Sequence, residues 1–117
     1  MELRVIAENW FEAFNKHDLE SLLSLYDENA KHFSPKLLAK HPETLGLIKG
    51  KPELRKWWRE SFDSLPTLKY FPELIICEGE NVFMKYKRKV EGQNDLIVGE
   101  TLRIVNEVIV ESRVYHS

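Results

Sequence analysis

From residue 68 onward the chain alternates with a period of two, and that alternation restricts what it can fold into. Four such stretches, 68–78, 81–91, 96–105 and 108–116, are separated only by Gly79-Glu80, Gly92-Gln93-Asn94-Asp95 and Asn106-Glu107. Successive side chains of a strand point to opposite faces, and spacers of two to four turn-forming residues join antiparallel neighbours. The second half therefore reads as a meander. One of its faces is apolar and needs a cover.

The first half supplies the cover. Leu3, Ile6, Ala7, Trp10, Phe11 and Phe14 recur at three- and four-residue steps, the stripe of an amphipathic helix of about four turns. Asn15-Lys16-His17 breaks it, and His17 in that break is expected to be exposed rather than catalytic. Asp18 suits an N-cap, since its carboxylate can accept from the free amides of a second helix carrying Leu19, Leu22, Leu23 and Tyr26. A short strand is expected over 30–34, stopped by Pro35. Residues 35–51 hold Pro35, Pro42, Gly46 and Gly50 and read as a long loop, with room for a strand at 44–49. That length exceeds the usual connection, which raises the expectation of a functional role. Pro52 opens a third helix, with Leu54, Trp57, Trp58, Ser61, Phe62 and Leu65 inward and Pro66 ending it. The two tryptophans are most simply core, with a stacking platform as the alternative.

Length and charge narrow the function. At 117 residues the chain is expected to form one domain, 1–117. A net charge of −2 offers no footprint for nucleic acid or an anionic membrane, and the run Lys85, Lys87, Arg88, Lys89 reads as a solvated strand face. Cys77 is the only cysteine, expected as a small buried hydrophobe within an apolar run. No apolar run approaches the ~20 residues that span a bilayer, and no leader is visible, so a cytoplasmic location is expected.

No phosphate loop, HExxH or GxSxG is present, and no spacing demands a metal or cofactor; none is expected. The informative residues are polar ones in phase with apolar neighbours. His32 shares a face with Ser34; Arg88 falls in with Val82, Met84, Tyr86 and Val90; Glu100 with Leu96, Val98, Leu102 and Ile104; His116 with Ser112 and Val114. Either these groups line a cavity, or Arg88 and Glu100 form one structural ion pair and the histidines sit at wet strand ends.

The run from Trp10 to Tyr26, Asn29-Ala30-Lys31-His32-Phe33-Ser34-Pro35, Lys49-Gly50-Lys51-Pro52-Glu53-Leu54, Glu100-Thr101-Leu102-Arg103-Ile104 and Val108-Ile109-Val110-Glu111 together resemble SnoaL-like and ketosteroid-isomerase-like domains of the nuclear-transport-factor-2-like superfamily. The resemblance implies an α+β, cone-shaped domain: three N-terminal helices packed on a curved, mainly antiparallel sheet enclosing a pocket. By position, Trp10 falls where ketosteroid isomerases carry an oxyanion-donating tyrosine, Ser34 where they carry the proton-shuttling aspartate, and Glu100 where they keep a protonated aspartate. Arg88 and His116 take positions that are usually aromatic, and serine has no basicity for the shuttle. The resemblance thus implies a retained pocket with altered chemistry.

The resulting expectation is a small, partly apolar ligand bearing a carbonyl or hydroxyl group. His32 would act as general acid/base, with Glu100 and Arg88 as second proton-transfer group or positioning pair. Trp10 and Ser34 would hydrogen-bond the ligand, and Phe14, Trp58, Met84, Tyr86 and His116 would complete its wall. Isomerase, cyclase or hydrolase chemistry stands against a non-catalytic binding or dimerisation module. A homodimer is expected through the outer sheet face, where Phe83 and Ile97 would otherwise be exposed.

Overall fold

The computed structural model describes residues 2–116. Helix α1 (Leu3–Asn15) buries Ile6, Ala7, Trp10, Phe11 and Phe14, the stripe its spacing predicts. It ends where His17 turns left-handed (φ 53°). His17 is half-buried there: Nε2 lies 2.7 Å from the Leu68 carbonyl, and its ring stacks on Phe62 at 4.4 Å. Its exposure was wrongly expected; the histidine fastens a helix end.

Asp18 caps α2 (Leu19–Ser24), accepting from the Ser21 amide at 3.1 Å. Tyr26 leaves the helix and begins β1 (Tyr26–Phe33), because the Ile109 amide donates to Leu25 O and Tyr26 pairs with Ile109. Long-range pairing here overrides the helical stripe. The expected loop at 35–51 is also corrected. Ser34 caps a short helix, α3 (Pro35–Lys40), by accepting from the amides of Lys36 and Leu37, and Leu37 is buried. A 3₁₀ turn (Pro42–Thr44) and β2 (Leu47–Lys49) follow. Four α-helices result rather than three, the last being α4 (Lys51–Ser64).

The strands β3 (Lys69–Glu78), β4 (Asn81–Lys89), β5 (Leu96–Val105) and β6 (Val108–Tyr115) form the expected meander. One six-stranded sheet runs β2-β1-β6-β5-β4-β3, antiparallel except for the parallel pair β1–β6. The helices cover its inner face, where Trp10, Leu54, Met84, Tyr86 and Leu102 are buried to 1% exposure or less. Among the described residues no helix is long and apolar enough to cross a membrane.

Strand β3 is an open edge, with Pro72 at a register shift, where a residue without an amide hydrogen is tolerated. Cys77 lies on this edge and is exposed, not buried as its apolar neighbours suggested. The outer face carries Phe71, Leu74, Ile76, Phe83, Ile97 and Tyr115, each 37–50% exposed. The Phe83 ring lies across Gly99, so close that a Cβ there would come within 3.1 Å of it.

The cover is tied to the sheet at Asn15. Its Nδ2 donates to the Tyr70 carbonyl and its Oδ1 accepts from the Tyr70 amide, both at 2.7 Å, so one side-chain amide pairs with β3 as a neighbouring strand would. With each such bond worth about 1 kcal/mol net, Asn15→Leu is expected to cost about 2 kcal/mol, read as a lower urea midpoint at unchanged slope.

Candidate functional site

Between α1, α3, α4 and the inner sheet face lies a cavity of about 270 Å³. At ~30 Å³ per water it has room for about nine waters, hence for a molecule of about ten non-hydrogen atoms. The sequence-predicted residues Trp10, Phe14, His32, Ser34 and Trp58 line it, as do Tyr86, Arg88, Glu100 and His116. Met84 does not: it is fully buried in the core.

One wall is aromatic. Phe14 stacks on Tyr70 with centroids 3.9 Å apart, Tyr70 on Tyr86 at 4.2 Å, and Trp10 on Phe14 at 5.4 Å. Behind it runs a buried hydrogen-bond chain. Trp10 Nε1 donates to the Tyr26 hydroxyl at 3.1 Å, and that hydroxyl donates to Ser112 Oγ, also at 3.1 Å. His32 Nδ1 lies 2.7 Å from Ser112 Oγ, because the parallel β1–β6 register sets these two residues side by side. An indole N–H can only donate, so the Tyr26 hydroxyl accepts there and passes its own hydrogen to Ser112. Where Ser112 in turn donates to His32 Nδ1, the ring hydrogen resides on Nε2. Burial pushes the His32 pKa down from 6.5 to about 4. At pH 7 His32 is thus a neutral imidazole, which can serve as a base or a hydrogen-bond donor but carries no imidazolium proton.

Two expected ligand contacts are spent within the protein. The Trp10 N–H is taken by Tyr26, and the Ser34 oxygen by the α3 amides.

Glu100 is 1% exposed. The Tyr86 hydroxyl donates to its Oε1 at 2.7 Å, while its Oε2 is buried without a hydrogen-bond partner among the described residues. Burial raises its pKa from 4.5 to about 7, against the lowering effect of the Tyr86 hydrogen bond. A carboxyl that ionises near neutrality can both take and release a proton.

The expected Arg88–Glu100 ion pair is absent. Glu100 pairs across the sheet with Met84, and Arg88 with Leu96. Four residues along one strand amount to about 13 Å, with Tyr86 between. The reason is the connection, which runs over residues 90–95 with a turn from the Gln93 amide to Val90 O and so shifts the register. Both side chains are still buried on the inner face, but Arg88 Nη1 donates to Gln93 Oε1 at 3.0 Å.

Sequence reasoning missed Tyr70, Gln93, Lys36 and Lys40. Tyr70 alternates with Leu68 and could have been found; the lysines sit on the helix read as loop. Among the described residues no group of three His, Cys, Asp or Glu side chains converges on a metal site.

The SnoaL-like domain family model matches residues 7–114. No curated protein matches the sequence significantly. Solved structures match in fold. A SnoaL-like protein of unknown function from Burkholderia thailandensis has a TM-score of 0.86 at 21% identity, covering 97% of this chain and 93% of that one. TerC, co-crystallised with polyporic acid, has a TM-score of 0.84 at 15% identity, covering 97% and 90%. A protein with a ketosteroid isomerase-like fold from Catenulispora acidiphila, in complex with trimethylamine, has a TM-score of 0.76 at 15% identity, covering 96% and 85%.

The two buried groups act on stability with opposite signs. Glu100 binds its proton more tightly folded than unfolded, so its contribution is full below pH 4.5 and lost as pH rises through about 7. His32 binds its proton less tightly folded, so its contribution is present above pH 6.5 and lost as pH falls through about 4. At ~1.4 kcal/mol per pH unit each amounts to about 3 kcal/mol, and between pH 4.5 and 6.5 they oppose one another. Urea unfolding of Glu100→Gln is expected to lose stability steeply from pH 6.5 to 4, and that of His32→Gln from pH 4.5 to 7, while the unsubstituted chain stays nearly flat.

Proposed function

The chain belongs to the SnoaL-like domain family, and on that premise we propose that it binds a small, partly apolar molecule in the cavity and moves a proton on it, with Glu100 as acid/base. The observation that carries this reading is Glu100 itself: buried in the cavity wall, held at one oxygen by Tyr86, and without a partner at the other among the described residues. A free oxygen on a carboxyl ionising near pH 7 suits removal of a proton from a carbon next to a carbonyl and its return elsewhere. Neutral His32, donating from Nε2, supplies a hydrogen bond to the oxygen on which negative charge develops. The aromatic wall of Phe14, Tyr70 and Tyr86 accepts the ligand's apolar part. One acid/base and one neutral donor favour an isomerase or a cyclase acting through an enolate over hydrolysis. The second reading, a non-catalytic binding module, draws on the Trp10 N–H and the Ser34 oxygen being bonded already within the protein.

Carbon-13 NMR of the Glu100 carboxyl is expected to give a midpoint near 7, moving higher in Tyr86→Phe, where a hydrogen bond to the ionised form is lost. Isomerisation of 3-cyclohexen-1-one to the conjugated ketone, followed by ultraviolet absorbance, is expected to fall by roughly 10²–10⁴-fold in Glu100→Gln. A rate unchanged by that substitution would leave the binding module standing.

We also propose that a second copy covers the outer sheet face. The support is the apolar set Phe71, Leu74, Ile76, Phe83, Ile97 and Tyr115 on one surface. Sedimentation at micromolar concentration is expected to give a dimer, and Ile97→Lys a monomer with its fold intact.

A further inference from the structure

Among the described residues Arg88 is a buried cation without an anion. It is 6% exposed and lines the cavity, and its one hydrogen-bond partner among the described residues is the neutral Gln93 amide. Buried charges are ordinarily paired, because an unpaired one forfeits its hydration without a return. The surroundings sharpen the deficit. Lys36 and Lys40 line the same end of the cavity. Partial burial, then the Arg88 and Lys40 charges, hold the Lys36 pKa below its ordinary value. Lys40 is 3.7 Å from Glu60, whereas Lys36 makes no ion pair among the described residues. Three cations therefore line a cavity whose only buried carboxyl among the described residues, Glu100, lies about four residues away along the strand face.

The geometry of Arg88 selects the missing group. Gln93 occupies Nη1, which leaves the edge formed by Nε and Nη2 without a hydrogen bond. Two parallel N–H groups on one edge match the two coplanar oxygens of a carboxylate. Resting on the reading that this cavity is a substrate site, we propose that its ligand is a small organic carboxylate, received by the free edge of Arg88 with Lys36 beside it. The rest of the molecule then lies along Tyr86 with its far end at Glu100. The anion is held at one end and the proton is moved at the other, so the head group sets the orientation of the reacting carbon.

The test uses the whole chain with two probes of matching shape, benzoate and benzamide, followed by amide chemical shifts. Benzoate is expected to bind about tenfold more tightly or better, with the largest shifts around Arg88 and Gln93. Arg88→Lys keeps the charge but loses the fork, and is expected to weaken benzoate about tenfold while leaving benzamide unchanged. Lys36→Gln, on an exposed helix position, is expected to weaken benzoate by about threefold. Equal affinities for the two probes, no benzoate shift at millimolar concentration, or an Arg88→Lys variant indistinguishable from the original would each overturn the proposal. The Glu100 carboxyl titration separates the two readings. A midpoint near 7 with no benzoate preference sinks the carboxylate alone. A midpoint at the ordinary 4.5 with the preference intact sinks the acid/base role alone.

Discussion

Strand β1 runs parallel to β6 beside Ser112, and most of what surrounds the cavity is suspended from that pairing. A parallel pair cannot be made by a tight turn, so the chain between them has to travel, here through α3, β2, α4 and the meander. That passage carries α4 across the inner face and brings His32 next to Ser112. Tyr26, at the start of the same strand, reaches Ser112 from the other side and collects the Trp10 N–H from α1. One contact between two strands thus links the first helix, the first strand and the last strand through one run of buried hydrogen bonds. Without it the helices would still bury their stripes, but nothing would orient the His32 ring.

The cavity is polarised along its length. At one end stand Arg88, Lys36 and Lys40; at the other, Glu100 with Tyr86. Neutral His32 faces the same space. Burial governs Glu100 and His32 through one cause, since desolvation disfavours whichever form is charged. It lifts the carboxyl toward neutrality and takes the imidazole below it. Two residues that exchange protons readily in water are driven apart, the carboxyl to ionise near neutrality and the imidazole to stay uncharged there.

Much of this could be read from residues alone, and the boundary has a physical reason. Period-two alternation put Arg88 and Glu100 on the inner face because a face is a local property of a strand. It could not say that they are four residues out of register, because register depends on the conformation of the 90–95 connection. Tyr26 fits a helical stripe and also a strand start; pairing with Ile109 decides between them. The short helix α3 was hidden among prolines and glycines, its one signal being Ser34 before Pro35, a cap before a first-turn proline. Cys77 shows the reverse error, where an apolar run suggested burial and the sheet simply ended.

The Phe83 ring resting on Gly99 carries a consequence for how such a chain can change over generations. A Cβ at position 99 would come within 3.1–3.2 Å of that ring, tighter than van der Waals packing accommodates without a shift. Alanine at 99 is therefore admitted most easily after residue 83 has lost its aromatic ring, and an aromatic at 83 most easily while 99 remains glycine. The two positions form one heritable unit on the outer face, and the order in which they mutate matters. Because the contact is with the tip of a ring that is 37% exposed, a displacement of a few tenths of an ångström relieves it, so the order is a preference and not a bar.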